Sequence, residues 1–367
     1  MPFDEREFAA PGAEGPAGLI RNRRLVAGWL FLMCFMILVM VVLGGVTRLT
    51  GSGLSIMEWA PVSGVLPPLN KADWQQLFAL YRQIPQYKLV NAGFGLAGFQ
   101  HIFWLEWTHR LWGRLIGLAF LGPLIWFWAT GRIERSLRPR LVLLFVLGGL
   151  QGAVGWFMVA SGFLPDETSV EPYRLALHLS LALVLYGAIL WTGLGVLRPR
   201  RMAPGSAGWL RPLTLISIGL LCVTIVAGSF VAGTHAGFDY NTFPLMAGRW
   251  VPAGYARLHP FLRNLFENIP AVQFDHRLLA TMTVLSIAMT LIAGLRLHLP
   301  RLPRIALFAL ALTIAVQYSL GVATLLLVVP VPLAAAHQAN AVLVLTAVLT
   351  LLYGIGPGGT STARARR

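Results

Sequence analysis

Eight separate runs of apolar residues, each long enough to cross a lipid bilayer as a helix, constrain this chain more than any other feature. They fall at about 27–47, 108–130, 141–160, 175–197, 212–232, 273–295, 305–328 and 333–354, and roughly 20 apolar residues are what a helix needs to span the hydrocarbon core. Inside lipid every backbone N–H and C=O must find its partner within the chain, which leaves helices as the solution for runs of this length. The expected fold is an all-α polytopic membrane protein with eight transmembrane helices. Composition agrees: of 367 residues 56% are hydrophobic and 12% charged, too apolar for a soluble enzyme.

A formal net charge of +15 would suggest nucleic acid in a soluble protein. Here the basic residues instead cluster between apolar runs, where they set topology, so lipid is the expected surrounding and nucleic acid is not an expected partner. Arg21, Arg23 and Arg24 precede the first run; Arg132, Arg135, Arg138 and Arg140 follow the second; Arg198, Arg200, Arg201 and Arg211 follow the fourth; segment 296–304 and the tail ARARR complete the series. These five segments are expected in the cytoplasm, with both termini there, in a bacterial inner membrane. The first run lacks a convincing cleavage site after it and reads as an uncleaved span. Cys34 and Cys222 lie inside apolar runs and read as packing residues rather than a disulfide or thiolate site.

The opposite loops carry Glu58, Asp73, Asp166, Glu167, Glu171, Asp239 and Glu267, and two of them, 48–107 and 233–272, are long. In the first, Trp74, Leu77, Phe78 and Tyr81 recur at the spacing of an amphipathic helix, expected to lie along the membrane surface. Segment 89–105 is more apolar and reads as re-entering the bilayer.

The chain also repeats itself. GGVTRLTGSGLSIMEWAP from Gly44 aligns with GSFVAGTHAGFDYNTFP from Gly228, EWTHRL with QFDHRL, and the Gly152–Gly155 region followed by LALHLS with the Gly321 region followed by AAAHQA. Each half therefore reads as four helices in one order, and an even number of spans gives both halves one orientation, a parallel repeat of two four-helix bundles. The expected division is a cytoplasmic segment 1–26, a first half 27–200, a second half 201–355 and a basic cytoplasmic tail 356–367.

Four of the eight histidines occupy one structural position: His109, His178, His276 and His337 open the second, fourth, sixth and eighth spans. A single histidine in an apolar run is usually a packed core residue or an interfacial anchor. Repetition on four helices that all enter from the same side reverses that expectation. Two imidazoles on neighbouring helices of a bundle suit a flat macrocycle held by two axial ligands, so one haem site is expected per half. Zinc would call for about four ligands, commonly with cysteine or carboxylate. Arg110 and Arg277, each following a histidine, are candidates to pair with haem propionates; the competing reading is a lipid-headgroup snorkel. Glu106 lies three residues before His109, whereas the second half has Gln273 there. Only a carboxylate can take a proton or stabilise positive charge on a ring substituent, which makes Glu106 the catalytic candidate and the second half a haem holder. The bland alternative for Glu106 is a surface carboxylate. Asp275 reads as a loop-end charge, and His101, His235, His259 and His298 as non-ligands.

TRLTGSGLSIMEWAPVSGVLPPLN, IFWLEWTHRLWGR, YNTFPLMAGRWVP, FENIPAVQFDHRLLA and the four helix-opening histidines together give the chain, over nearly its whole length, a sequence that resembles the haem A synthase family. Segment Ser55–Ser63 lacks the outer-loop cysteine pair of one branch and looks like the branch of mitochondria and their bacterial relatives. The resemblance implies oxidation of a methyl of haem O to the formyl of haem A through an alcohol, for cytochrome oxidase assembly. It also implies the substrate haem in the half of Glu106, His109 and His178, and a haem b held by His276 and His337. A bilayer site would keep the farnesyl tail of haem O out of water. Implied partners are membrane lipid, the haem O synthase that supplies the substrate, an unidentified electron acceptor and a second copy of the chain as a homo-oligomer. Two other classes fit parts of this pattern: a di-haem cytochrome b passing electrons between quinone and a partner, which leaves Glu106 without a role, and a haem-binding assembly or export module without chemistry.

Overall fold

The computed structural model describes residues 16–61, 63–197, 201–203 and 205–356. The first fifteen residues, Arg198, Arg200 and the basic tail beyond residue 356 lie outside the described residues. Among those described, eight helices are long and apolar enough to cross a membrane, and no sheet is present. They are α1 (Pro16–Leu49), α4 (Leu96–Ala129), α5 (Arg138–Ser161), α6 (Pro172–Leu197), α7 (Leu210–Gly233), α9 (Ile269–Leu295), α10 (Arg301–Leu326) and α11 (Val331–Gly354), with α2 (Lys71–Tyr81), α3 (Pro85–Leu89) and α8 (Asn264–Glu267) in the two long loops. Proline occupies the first turn of α5, α9 and α11, where its missing N–H costs no hydrogen bond and its fixed φ already suits a helix.

In the first half α1 packs on α4, α4 on α5, α5 on α6, and α6 back on α1. The second half repeats this ring as α7 on α9, α9 on α10, α10 on α11, and α11 on α7. The halves meet through α1 with α11, α6 with α7, and α6 with α11, a set of contacts that maps onto itself when the halves are exchanged. A single apolar core follows this seam, with Leu30, Met33, Val344, Val348 and Leu351 fully enclosed. The joint between halves is tied to the end of α11: Met202 N–H donates to the Gly354 carbonyl at 2.9 Å, and the Arg201 guanidinium to that of Tyr353 at 2.8 Å.

Two loop expectations change. Helix α4 begins at Leu96, twelve residues before its apolar window, so 96–105 is the helix's own first turns rather than a re-entrant segment. At 1.5 Å per residue its 34 residues run about 51 Å, well past a hydrocarbon core of roughly 30 Å. That extension alters the setting of α2, which forms as its periodicity predicts, capped by Asn70 accepting from Asp73 N–H at 2.9 Å. Its apolar stripe packs against α4 rather than lying along the membrane: Trp74 meets Phe103 edge-on at 4.9 Å and Tyr81 lies over Phe99 at 5.3 Å, in a cluster with Ile102 and Leu54.

Candidate functional site

Each of the four imidazoles rests against a glycine on the preceding membrane-spanning helix, and His109 does so well inside α4 rather than at its opening. A Cβ placed on Gly155, Gly228 or Gly321 would come within 2.9, 2.9 or 3.0 Å of Cε1 of His178, His276 or His337, and one on Gly44 within 3.1 Å of His109 Nε2. Any larger residue at these points pushes a ring aside. The seats pair α1 with α4 and α5 with α6 in the first half, and α7 with α9 and α10 with α11 in the second. His109 and His178 lie within electrostatic range of each other, as do His276 and His337. The rings are half-buried inside the helix bundles. Among the described residues no three His, Cys, Asp or Glu side chains gather to hold a metal ion, so the donor sets on offer are the imidazole pairs. Two nitrogen donors on facing helices, each beside a cradle that a single Cβ would fill, fit a haem plane with axial ligands.

Groups on the neighbouring helices, one backbone carbonyl and two side-chain amides, lie against three of the rings. His276 Nδ1 lies 3.1 Å from the Thr224 carbonyl, a donor position that leaves Nε2 free to ligate. The amide nitrogen of Gln151 is 3.1 Å from His178 Nδ1, and that of Gln317 is 3.3 Å from His337 Nδ1. Sequence reasoning missed both glutamines. The signal was present: a buried amide in an apolar helix is costly unless partnered, and each stands four residues before a seat glycine.

Glu106 and Gln273, both 2% exposed, occupy equivalent places one turn above the rings. Oε2 of Glu106 accepts from Ser55 N–H at 2.6 Å, Ser55 Oγ at 2.7 Å and Ile56 N–H at 2.9 Å; Oε1 accepts from Arg110 Nε at 3.0 Å and Nη2 at 2.6 Å. Arg110 further donates to the carbonyls of Ile56 and Glu58, and Arg114 to those of Ala60 and Pro61. In the second half Gln273 donates to the carbonyls of Ala236 and Asp239 at 2.6 and 2.5 Å and accepts from Arg277, which itself donates to those of Tyr240 and Thr242. Glu106 with Arg110 and Gln273 with Arg277 thus form two clamps that bind the outer loops to the helices. Arg110 has all its nitrogens engaged; Arg277 Nε is buried without a partner in the chain. Above the first half Arg110 also lies 5.5 Å from the ring of Trp156, which stacks on Trp59 at 6.3 Å.

The remaining candidates fall outside these clusters. His101, His235, His259 and His298 are exposed. Asp275 is half-buried and accepts from Tyr255 OH at 2.8 Å, facing the outer loop rather than His276. Burial together with that carboxylate pushes the Tyr255 hydroxyl up to about 12. Cys34 is buried and Cys222 exposed, each within its helix.

Comparison with known proteins adds identity to this geometry. Residues 27–349 match the COX15-CtaA family, described as cytochrome oxidase assembly protein. The chain is 64% identical to the heme A synthase of Granulibacter bethesdensis over 306 residues, 83% of this chain and 80% of that one. It is 50% identical to heme A synthase 2 of Acidiphilium cryptum over 317 residues, 85% and 86% of the two chains. It is likewise 50% identical to the heme A synthase of Rhodospirillum centenum over 314 residues, 85% and 83%.

Proposed function

The chain belongs to the COX15-CtaA family of cytochrome oxidase assembly proteins, and on that premise we propose that it is a haem A synthase, a membrane oxidoreductase that converts a ring methyl of haem O to the formyl of haem A through an alcohol. The observation that carries this reading is the pair of imidazole sites on glycine seats, alike in both halves, of which only one has a buried carboxylate beside it. The half with Glu106 takes the substrate, with His109 and His178 as axial ligands. The other half, with His276 and His337, holds a resident haem b, which supplies a one-electron relay toward the electron acceptor.

The residues present bear on how the first half acts. Both carboxylate oxygens of Glu106 are engaged by N–H or O–H donors, three at Oε2 and two at Oε1. To take a proton it would have to release one of those donors. To stabilise positive charge developing on a ring substituent it need not move, and charge fixed in advance by surrounding donors is the effective kind. Glu106 therefore acts as a fixed negative charge rather than as a base. Of the two arginines, Arg277 has a donor left for a propionate, and Arg110 chiefly secures the loop and Glu106.

The absence of cysteine between Ser55 and Ser63 aligns the chain with the branch that has no outer thiol pair. The arginine-rich connections face the cytoplasm by the positive-inside rule, which puts the clamps and the imidazoles toward the outer leaflet. The haem O synthase is the expected source of substrate. The test is to supply haem O and analyse the bound pigments by mass: haem A and the hydroxylated intermediate are expected. Changing His276 to Ala should deplete the b-type signal and leave haem O bound. Unchanged pigment on supply of haem O would return the protein to a di-haem electron carrier, and unchanged haem b in the variant would reject the second-half site.

A further inference from the structure

The four rings are not held alike in the two halves. In the second half His276 is tethered through Nδ1 to the Thr224 carbonyl. His337 is approached by the amide nitrogen of Gln317, whose oxygen accepts from Asn340 Nδ2 at 2.9 Å, and the same nitrogen of Asn340 donates to the Thr313 carbonyl at 2.8 Å. Gln317 cannot turn without breaking this chain of bonds, so its amide is fixed beside the ring, 3.3 and 3.5 Å from the two ring nitrogens.

The first half lacks both restraints. Gln151 approaches His178 as Gln317 approaches His337, and donates to the His178 carbonyl at 3.0 Å, yet its own oxygen is buried without a partner in the chain. The place of Asn340, three residues after the histidine, is taken by Leu181, which has nothing to donate. A buried acceptor left unpaired raises the energy of the state that holds it there, and Gln151 is held through its nitrogen alone, whereas Gln317 is also held at its oxygen. His109 differs as well. It presents Nε2 to its seat glycine where the other three rings present Cε1, and no hydrogen bond of its ring parallels the tether of His276.

We propose that Asn340 and Leu181 determine which site keeps its haem: the Thr313–Asn340–Gln317 chain retains the second-half haem, and its absence beside Gln151 lets the first-half haem leave. The inference rests on the assignment of one haem to each half under the proposed function, and deepens it. A substrate site must discharge its product each cycle, whereas a relay site that lost its haem would stop the enzyme. The two positions act through the glutamines on the ligating histidines, as positioning residues.

The experiment uses the purified full-length protein carrying both haems, mixed with excess apomyoglobin as a haem scavenger. Transfer is followed by absorbance, and the haem types leaving and remaining are identified by mass. In the natural protein haem O or A should leave well before haem b. Asn340→Leu should speed transfer of haem b at least tenfold without changing that of the first-half haem, and Leu181→Asn should slow transfer of the first-half haem several-fold. Equal acceleration of both haems in Asn340→Leu, which general loosening would produce, or no acceleration, would overturn the proposal. Should Asn340→Leu fail to accumulate, Leu181→Asn decides alone: an unchanged first-half rate rejects the idea. A natural protein that never carries two haem types would instead reject the site assignment, before exchange is measured.

Discussion

At position 106 the first half places a carboxylate against backbone N–H groups of its outer loop; at position 273 the second half places an amide against backbone carbonyls. Both are followed four residues on by an arginine that binds two more loop carbonyls, and those carbonyls, of Ile56 and Glu58 in one half and Tyr240 and Thr242 in the other, are repeat equivalents. The arginine's task has been kept, while the polarity of its partner follows which way the loop presents its backbone. The Glu/Gln difference is therefore doubly determined. It leaves only the first half with a fixed negative charge next to its imidazole pair, and it matches each loop's donors or acceptors.

This changes what a substitution at Glu106 can report. By volume alone Glu106→Gln is a mild change, but both oxygens here face only donors, so an NH2 at either place opposes an N–H. The first prediction, with the largest effect, is that Glu106→Gln lowers haem A formation about a hundredfold or more, the usual consequence of removing a charge aimed at a transition state. It should also loosen the Ser55–Ile56 turn. Breaking one side of a buried ion pair typically costs about 3–5 kcal/mol, here shared with Arg110, whose partner it is at 2.6 Å. Two measurements separate the roles: the haem A to haem O ratio at matched protein level, and hydrogen exchange at the amides of Ser55 and Ile56. Fast exchange with near-normal haem A would make Glu106 a clamp and nothing more.

A second comparison concerns the seats. Gly228→Ala should reduce occupancy of the haem b site several-fold, because the new Cβ would press on a His276 ring that its tether to Thr224 keeps from retreating. Overpacking of this kind costs about 1–3 kcal/mol. Gly44→Ala should cost less, since the Cβ meets an untethered ring at 3.1 Å. The readout is the stoichiometry of each haem type after purification; a greater loss from Gly44→Ala would break the contrast between a fixed and a yielding half.

Much of this architecture is legible in the sequence because a bilayer simplifies the problem. Hydrocarbon thickness sets the length of each span, so the eight windows identify the eight helices, and the repeat sets the four histidines at matching positions of the two halves before any coordinates; that glycines seat them is seen only in the structure. What escapes is whatever leaves the bilayer. The window for α4 begins near residue 108 because hydropathy registers lipid contact; Leu96 to Leu105 are helical through packing on α2 and the outer cluster. The clamps escape for a different reason: Glu106 meets Ser55, and Arg110 meets Glu58, across about fifty residues that include α2, α3 and the first turns of α4. Asn340 reads as one more polar residue in a span until Gln317 is seen beside it.

The smallest expected effect concerns how each half joins its first two spans. Helices α7 and α9 share a buried hydroxyl ladder: Ser217 with Ser286 at 2.8 Å and with Thr290 at 3.0 Å, and Thr224 with Thr283 at 2.8 Å. The repeat-equivalent positions on α1 and α4 are Met33, Ala119, Pro123, Met40 and Ile116, and there two indoles reach across to backbone instead, Trp29 to the Ala119 carbonyl and Trp112 to that of Met36, both at 2.9 Å. Hydrogen bonds between helices in membranes average about 0.6 kcal/mol, because the separated helices also find partners. Ser217→Ala should therefore lower the stability of the second half by about 1 kcal/mol, seen as a shift of a few degrees in thermal loss of haem b absorbance, with its spectrum at room temperature unchanged. Ser217→Ala combined with Thr290→Ala should fall short of the sum of the singles, since both remove the same contact. Full additivity would mean that the hydroxyls act separately through their own helix carbonyls, as the Thr290 bond to the Ser286 carbonyl at 3.0 Å allows, and that the ladder does not tie the two helices together.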